Sequence, residues 1–234
     1  MALAYCNWMS NFSNFFISTH VSNPPILSGF VYLLALFGFR PKFGKEQLFV
    51  ICLPLVYYLI DLKAASITYF NEGAFNLKFY NWALLFEIPI TIFVFYSWAN
   101  PLIRRIIIVS IFAFVVLHII NLSFWQTGYV VASFTIVPGQ LLQAVFAYLF
   151  LLDIIDKSQV RLDNDFRIWF ATSLFITVSA SLPITAMVSY LNYVNTDLAD
   201  KLYVLNDVMY SAWFLLLTIG LLWIKKTQSS YISL

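Results

Sequence analysis

Of the ionisable side chains within the long apolar runs of this 234-residue chain, four matter most: Asp61, Glu87, His118 and Asp207. A carboxyl group surrounded by hydrocarbon must take up a proton, pair with a cation or accept hydrogen bonds. Each of these residues is therefore a candidate for ion, proton or ligand chemistry. Gln140 and Gln143 stand three residues apart, so they share one face of a helix. Asn81, Asn206 and Tyr210 add further hydrogen-bonding capacity. Together, Glu87, His118, Gln140, Gln143, Asn206, Asp207, Tyr210 and Asn81 form a candidate ligand-binding set. Glu87 is its expected protonatable centre and His118 the expected partner of Glu87. A second reading stays open. In it the same groups only join helices through interhelical hydrogen bonds, worth ~0.6 kcal/mol each on average, and Asp61 and Asp207 sit at the headgroup level.

These residues are positioned by seven apolar runs: 24–39, 47–62, 79–100, 103–124, 128–155, 167–194 and 203–224. Hydrophobic residues make up 62% of the chain and charged residues 10%. A soluble domain carries about 25% charged residues, and a span needs ~20 apolar residues to cross the bilayer core. The expected architecture is an all-α, polytopic seven-helix bundle over 24–226. An outer segment, 1–23, precedes it and a short cytoplasmic tail, 227–234, follows. Residues 1–23 lack the basic start of a secretory signal. The chain offers no room for a soluble domain, so any binding must use the bundle or its short loops.

Basic residues orient the bundle. With the N-terminus outside, the inner loops carry Arg40, Lys42, Lys45, Arg104, Arg105, Lys157, Arg161, Arg167, Lys225 and Lys226, while only Lys63, Lys78 and Lys201 lie outside. Basic residues near spans stay cytoplasmic, which predicts an N-out, C-in chain. The net charge of +2 follows from this bias and is no nucleic-acid footprint. Trp82 and Trp125 mark outer ends, Trp98, Trp169 and Trp223 inner ends. Trp213 is mid-span, either inside the bundle or facing lipid. Pro54, Pro89, Pro138 and Pro183 fall inside spans, where neighbouring helices re-satisfy the freed backbone groups. Ser173, Thr177, Ser181 and Thr185 recur every fourth residue, a stripe that lets another helix approach closely.

Several chemistries are missing. Two histidines, His20 and His118, supply no paired-His metal motif, so no metal or other cofactor is expected. There is no G-x-S-x-G elbow and no Gly-rich phosphate loop. The last span contains no lysine for a retinal Schiff base. Catalysis is accordingly not expected. The mixed-charge inner loop around Lys157, Arg161, Asp163 and Asp165 is the expected docking surface for a membrane or cytoplasmic signalling partner, with lipid the other partner.

Tyr80-Asn81 with Glu87, Leu102-Ile103-Arg104-Arg105, Phe166-Arg167-Ile168-Trp169 and Leu217-Thr218-Ile219-Gly220-Leu221-Leu222-Trp223 resemble segments of a loose group of uncharacterised bacterial seven-helix proteins. That resemblance implies a sensory or accessory role without catalysis and a place in the bacterial inner membrane. A different layout is also echoed. Pro24, Pro54, Pro138, Pro183, Asn81 and Asn206 are similar to the pattern of sugar carriers of the SWEET type, which are built from three helices, a linking helix and three more. That likeness implies small-solute transport. The Pro-Gln pair of those carriers is broken here by Gly139.

Overall fold

The structure, a computed structural model, describes residues 14, 15, 17, 19, 23–39, 45–70, 76–126, 131–157 and 165–232. Among the described residues from Pro24 on, seven α-helices follow one another: α1 (Pro24–Phe39), α2 (Lys45–Phe70), α3 (Asn76–Val94), α4 (Pro101–Ile120), α5 (Ser133–Lys157), α6 (Phe166–Val194) and α7 (Thr196–Ile232). A 3-10 turn, Phe95–Ser97, extends α3, and a π-helical turn, Asn121–Trp125, extends α4. No strand occurs among the described residues. Six of the helices are long and apolar enough to cross a bilayer; Pro24–Gly38 is a shorter apolar helix. The chain is an all-α, multi-pass membrane bundle. Residues 1–13 and the loop segment 158–164 lie outside the described residues, and so do the expectations placed on them.

Short polar side chains start the helices. Asn23, Asn100, Asp165 and Asn195 accept hydrogen bonds from the backbone N–H of Ile26, Ile103, Arg167 and Leu198 at 3.3, 2.9, 2.9 and 3.1 Å. Each covers a donor that the first turn would leave unpaired. Pro24 and Pro101 occupy first-turn positions where no N–H is needed. The helices run on through Pro54, Pro89, Pro138 and Pro183.

Helices α1, α2, α3, α5, α6 and α7 close a ring in that order, with α2 and α6 touching across it. Helix α4 packs outside the ring against α3 and α5. Glycines set three close seams. A Cβ at Gly29 would meet the Tyr58 ring at 2.9 Å, one at Gly139 would meet Ile88 and Phe114 at 2.6 and 2.8 Å, and one at Gly220 would meet Trp169 at 2.7 Å. The α6 stripe is buried at Ser173, Thr177 and Ser181, on a helix that packs extensively on both α5 and α7. Trp213 is inside the bundle at 1% exposure, whereas Trp82, Trp125 and Trp223 keep exposed faces, as boundary residues would. Trp98 instead packs on Phe150, ring centroids 4.6 Å apart.

Two helices are longer than their apolar runs suggest. α2 continues past Leu62 to Phe70, and α7 begins at Thr196 rather than near Tyr203. The added turns are polar but helix-competent. Lys63-Ala64-Ala65 carries α2 forward, and the Asn195 cap with Asp197 in the first turn starts α7 early. Asp61 is therefore nine residues inside the end of α2, and Asp207 eleven residues into α7. At 1.5 Å per residue both lie ~14–17 Å from a helix end, well below the expected helix-end position.

Two stability outcomes follow from these seams. Gly220→Ala is expected to lower the melting temperature in detergent by an overpacking cost of ~1–3 kcal/mol. Gly38→Ala, with nothing within 4 Å of its Cβ, should leave the temperature unchanged or raise it; equal losses would contradict the seam. Ser181 is fully buried and its Oγ has no partner. Ser181→Ala should thus be tolerated while Ser181→Leu destabilises, and identical melting curves would place the stripe away from any helix contact.

Candidate functional site

The polar residues of the bundle separate into two systems, and the first is built on His118. Its Nε2 lies 2.7 Å from the Asn81 backbone carbonyl and its Nδ1 2.6 Å from Thr135 Oγ1. A carbonyl only accepts, so Nε2 carries the proton. Nδ1 then accepts from the Thr135 hydroxyl, whose oxygen in turn accepts from Asn121 Nδ2 at 3.1 Å. Gln126 Oε1 accepts from Asn121 Nδ2 and from the Phe134 N–H at 3.0 and 3.1 Å, and Gln126 Nε2 donates to Ser133 Oγ at 3.2 Å. Asn81 Oδ1 accepts from the Ala132 N–H at 3.2 Å. The His118 ring stacks on Phe114 at 5.4 Å. This network ties the α4 π-turn and the start of α5 to α3. Both nitrogens of His118 are spent in it, so the expected pairing of His118 with Glu87 does not form. The succession of spans three and four suggests that pair; the Thr135 hydroxyl competes successfully because it stands in the first turn of α5, 2.6 Å from Nδ1.

The second system gathers three carboxyls from three helices. On α2, Asp61 lies on the far side from Cys52 and Leu59, which are exposed. On α3, Glu87 lies away from the exposed Trp82, Phe86 and Phe93. Asp61 and Glu87 are within electrostatic reach of each other, and Asp207 of α7 is within reach of Asp61. Tyr80 and Tyr210 are each in reach of all three. Tyr80 donates its hydroxyl to Asp61 Oδ1 at 3.0 Å. Tyr57 donates to Thr91 Oγ1 at 2.8 Å, and Thr91 donates to the Glu87 carbonyl at 2.7 Å. From α5, the amide of Gln140 is presented to the Tyr210 hydroxyl and that of Gln143 to Tyr57. Gly139 allows this, because it brings α5 against Ile88, the neighbour of Glu87.

Three features make this system unlike a closed hydrogen-bond joint. Asp61, Glu87, Asp207 and Tyr210 all keep accessible surface, although their surroundings are residues of other helices. Among the described residues, no basic side chain figures in the charges acting on Asp61 or Glu87. Gln140 Oε1, Asn206 Oδ1 and Trp213 Nε1 are buried atoms with no hydrogen-bond partner, against the single atom Asn121 Oδ1 in the His118 system. Among the described residues, no three His, Cys, Asp or Glu side chains stand close enough to hold a metal ion.

The eight candidate residues thus divide. Glu87, Gln140, Gln143, Asp207 and Tyr210 come together, Asn206 adjoins them on α7, and Asn81 and His118 belong to the other system. Asp61, for which the sequence leaves both a place in the bundle and the headgroup level open, is a member. Tyr57, Tyr80 and Thr91 complete the set. Their signal was helical spacing: Tyr57 and Asp61 are four apart, Tyr80 and Glu87 seven, Glu87 and Thr91 four.

The fold and this cluster define the class as a multi-pass helical membrane protein with an acidic, tyrosine-lined interior. A scan against protein-family models, a search of curated proteins and a search of solved structures each returned no match.

His118→Phe keeps the ring stack but removes two buried hydrogen bonds, to the Asn81 carbonyl and to Thr135 Oγ1. Each is worth ~0.5–1.5 kcal/mol net, so a lower midpoint in detergent denaturation is expected. Wild-type stability in that variant would contradict the network.

Proposed function

We propose that this protein is a sensory or accessory component of a bacterial inner membrane, without catalysis, whose bundle holds a small-ligand cavity open to the outer side. The observation that supports the reading most is the second polar system. Three carboxyls, three tyrosines and unpartnered amide oxygens converge from α2, α3, α5 and α7, at similar distances along their helices. Polar groups gathered for packing largely satisfy one another, as those around His118 do with the exception of Asn121 Oδ1, whereas here the unpartnered acceptors stand beside carboxyls. Intramembrane ionisable residues facing a bundle interior commonly mark ligand or ion sites. The outward opening follows from the basic-residue bias, which sets the N-terminus outside, with Asp61 in the half of α2 nearer the loop to α3.

A second reading, small-solute transport, draws on the order of the helices. Exchanging α1, α2 and α3 with α5, α6 and α7 leaves the neighbour relations of the ring unchanged, with α4 as the extra helix. A carrier of three helices, a linker and three helices requires such an exchange. Uptake of a radiolabelled solute into proteoliposomes separates the two, since a sensor binds without accumulation.

Single cysteines in a chain with Cys6 and Cys52 replaced by serine test the cavity and its orientation. Asn71→Cys and Asn206→Cys are expected to react with an impermeant thiol reagent added outside intact cells, while Ser158→Cys and Ser173→Cys are not. Labelling of Ser158→Cys would reverse the orientation. An inert Asn206→Cys beside a reactive Asn71→Cys would remove the cavity.

A further inference from the structure

From the chemistry of the acidic cluster, we infer that the ligand is a small organic ammonium ion that carries N–H groups. The inference rests on the reading of the cluster as a ligand cavity and names what that cavity takes. Three carboxyl groups in one interior, with no basic residue among the described ones in the charges acting on Asp61 and Glu87, repel anions and leave a place for positive charge. Tyr57, Tyr80 and Tyr210 stand within electrostatic reach of Glu87, and Trp213 packs on Tyr57. Trp213 meets Tyr57 edge-on at 5.0 Å, ring centroid to centroid. Aromatic faces attract cations, and their apolar bodies suit a hydrocarbon tail.

The independent observation is Gln140. It is 4% exposed, its amide is directed at Tyr210, and its Oε1 accepts from nothing. Asn206 Oδ1 is a second such acceptor. A buried amide oxygen without a donor is costly to keep. A ligand N–H would satisfy Gln140 Oε1 while its charge faces the carboxyls. A quaternary ammonium has no N–H to offer. An inorganic cation would draw on a tight shell of oxygens, and the described residues bring no three carboxyl or other metal-binding side chains within that distance.

The full chain, purified in detergent, is titrated with n-butylammonium chloride while its melting temperature is followed by intrinsic fluorescence. Sodium chloride at equal ionic strength, tetramethylammonium chloride and sodium butyrate serve as comparisons. A saturable rise in melting temperature with n-butylammonium is expected, and none with the other three. Glu87→Gln should weaken the apparent affinity at least tenfold. Gln140→Leu, which removes the acceptor without touching a charge, should weaken it severalfold and keeps the test open if Glu87→Gln does not fold. Asp200→Asn, an exposed acid on α7, should titrate like the wild type. An equal response to sodium or to tetramethylammonium overturns the inference, as does an unaltered affinity in Gln140→Leu. No response to any cation, in a protein whose Asn206→Cys form labels from outside, overturns the ligand class and leaves the cavity standing. No response together with an inert Asn206→Cys removes both.

Discussion

A carboxyl group in hydrocarbon cannot stay where it has neither water, donors nor countercharge, and this chain places three of them ~14–17 Å along its helices. That constraint accounts for much of the architecture. Asp61 and Glu87 face away from the exposed sides of α2 and α3, and Asp207 comes within electrostatic reach of Asp61 from α7. Tyr80 covers one oxygen of Asp61. α5 must come close enough to bring Gln140 and Gln143 into the same interior, and only a residue without a side chain permits its contact with Ile88 and Phe114 at Gly139. The same glycine that interrupts a Pro-Gln pair in the sequence is what seats the glutamines.

The His118 system shows what a finished joint looks like in the same bundle. It couples α3, α4 and α5 through side chains that mostly satisfy one another. It also holds α4, the helix outside the ring, against its two neighbours. The contrast between the two systems gives the acidic cluster its meaning. One spends nearly all its donors and acceptors on the fold, Asn121 Oδ1 excepted, and the other keeps acceptors unspent beside its carboxyls.

Much of the fold was legible in the sequence because the signal was strong. Seven apolar runs became seven helices, and the run 24–39 matches α1 at both ends. The ends of α2 and α7 were misjudged for a physical reason. Hydropathy falls where Lys63 or Asp197 enters, whereas the backbone needs only helix-competent residues and a cap to continue. That error carried the carboxyls with it, so Asp61 was weighed as a headgroup residue. The His118–Glu87 pair was inferred from consecutive spans. Thr135, brought in by the turn between α4 and α5, could not be foreseen from spacing along one helix. Tyr57, Tyr80 and Thr91 were readable in principle, since each falls on the face of a carboxyl already singled out.

The central claim is that Asp61, Glu87 and Asp207 share one interior. Paired cysteine cross-linking in native membranes tests it most directly, using a short bifunctional thiol reagent on Asp61→Cys/Glu87→Cys, Asp61→Cys/Asp207→Cys and Asp61→Cys/Phe86→Cys, each in a chain otherwise free of cysteine. The first two pairs are predicted to cross-link within one chain, and the third, with its partner on the lipid face of α3, is not. Failure of the first two pairs in folded protein, or cross-linking through Phe86→Cys as efficient as through Glu87→Cys, would contradict the account.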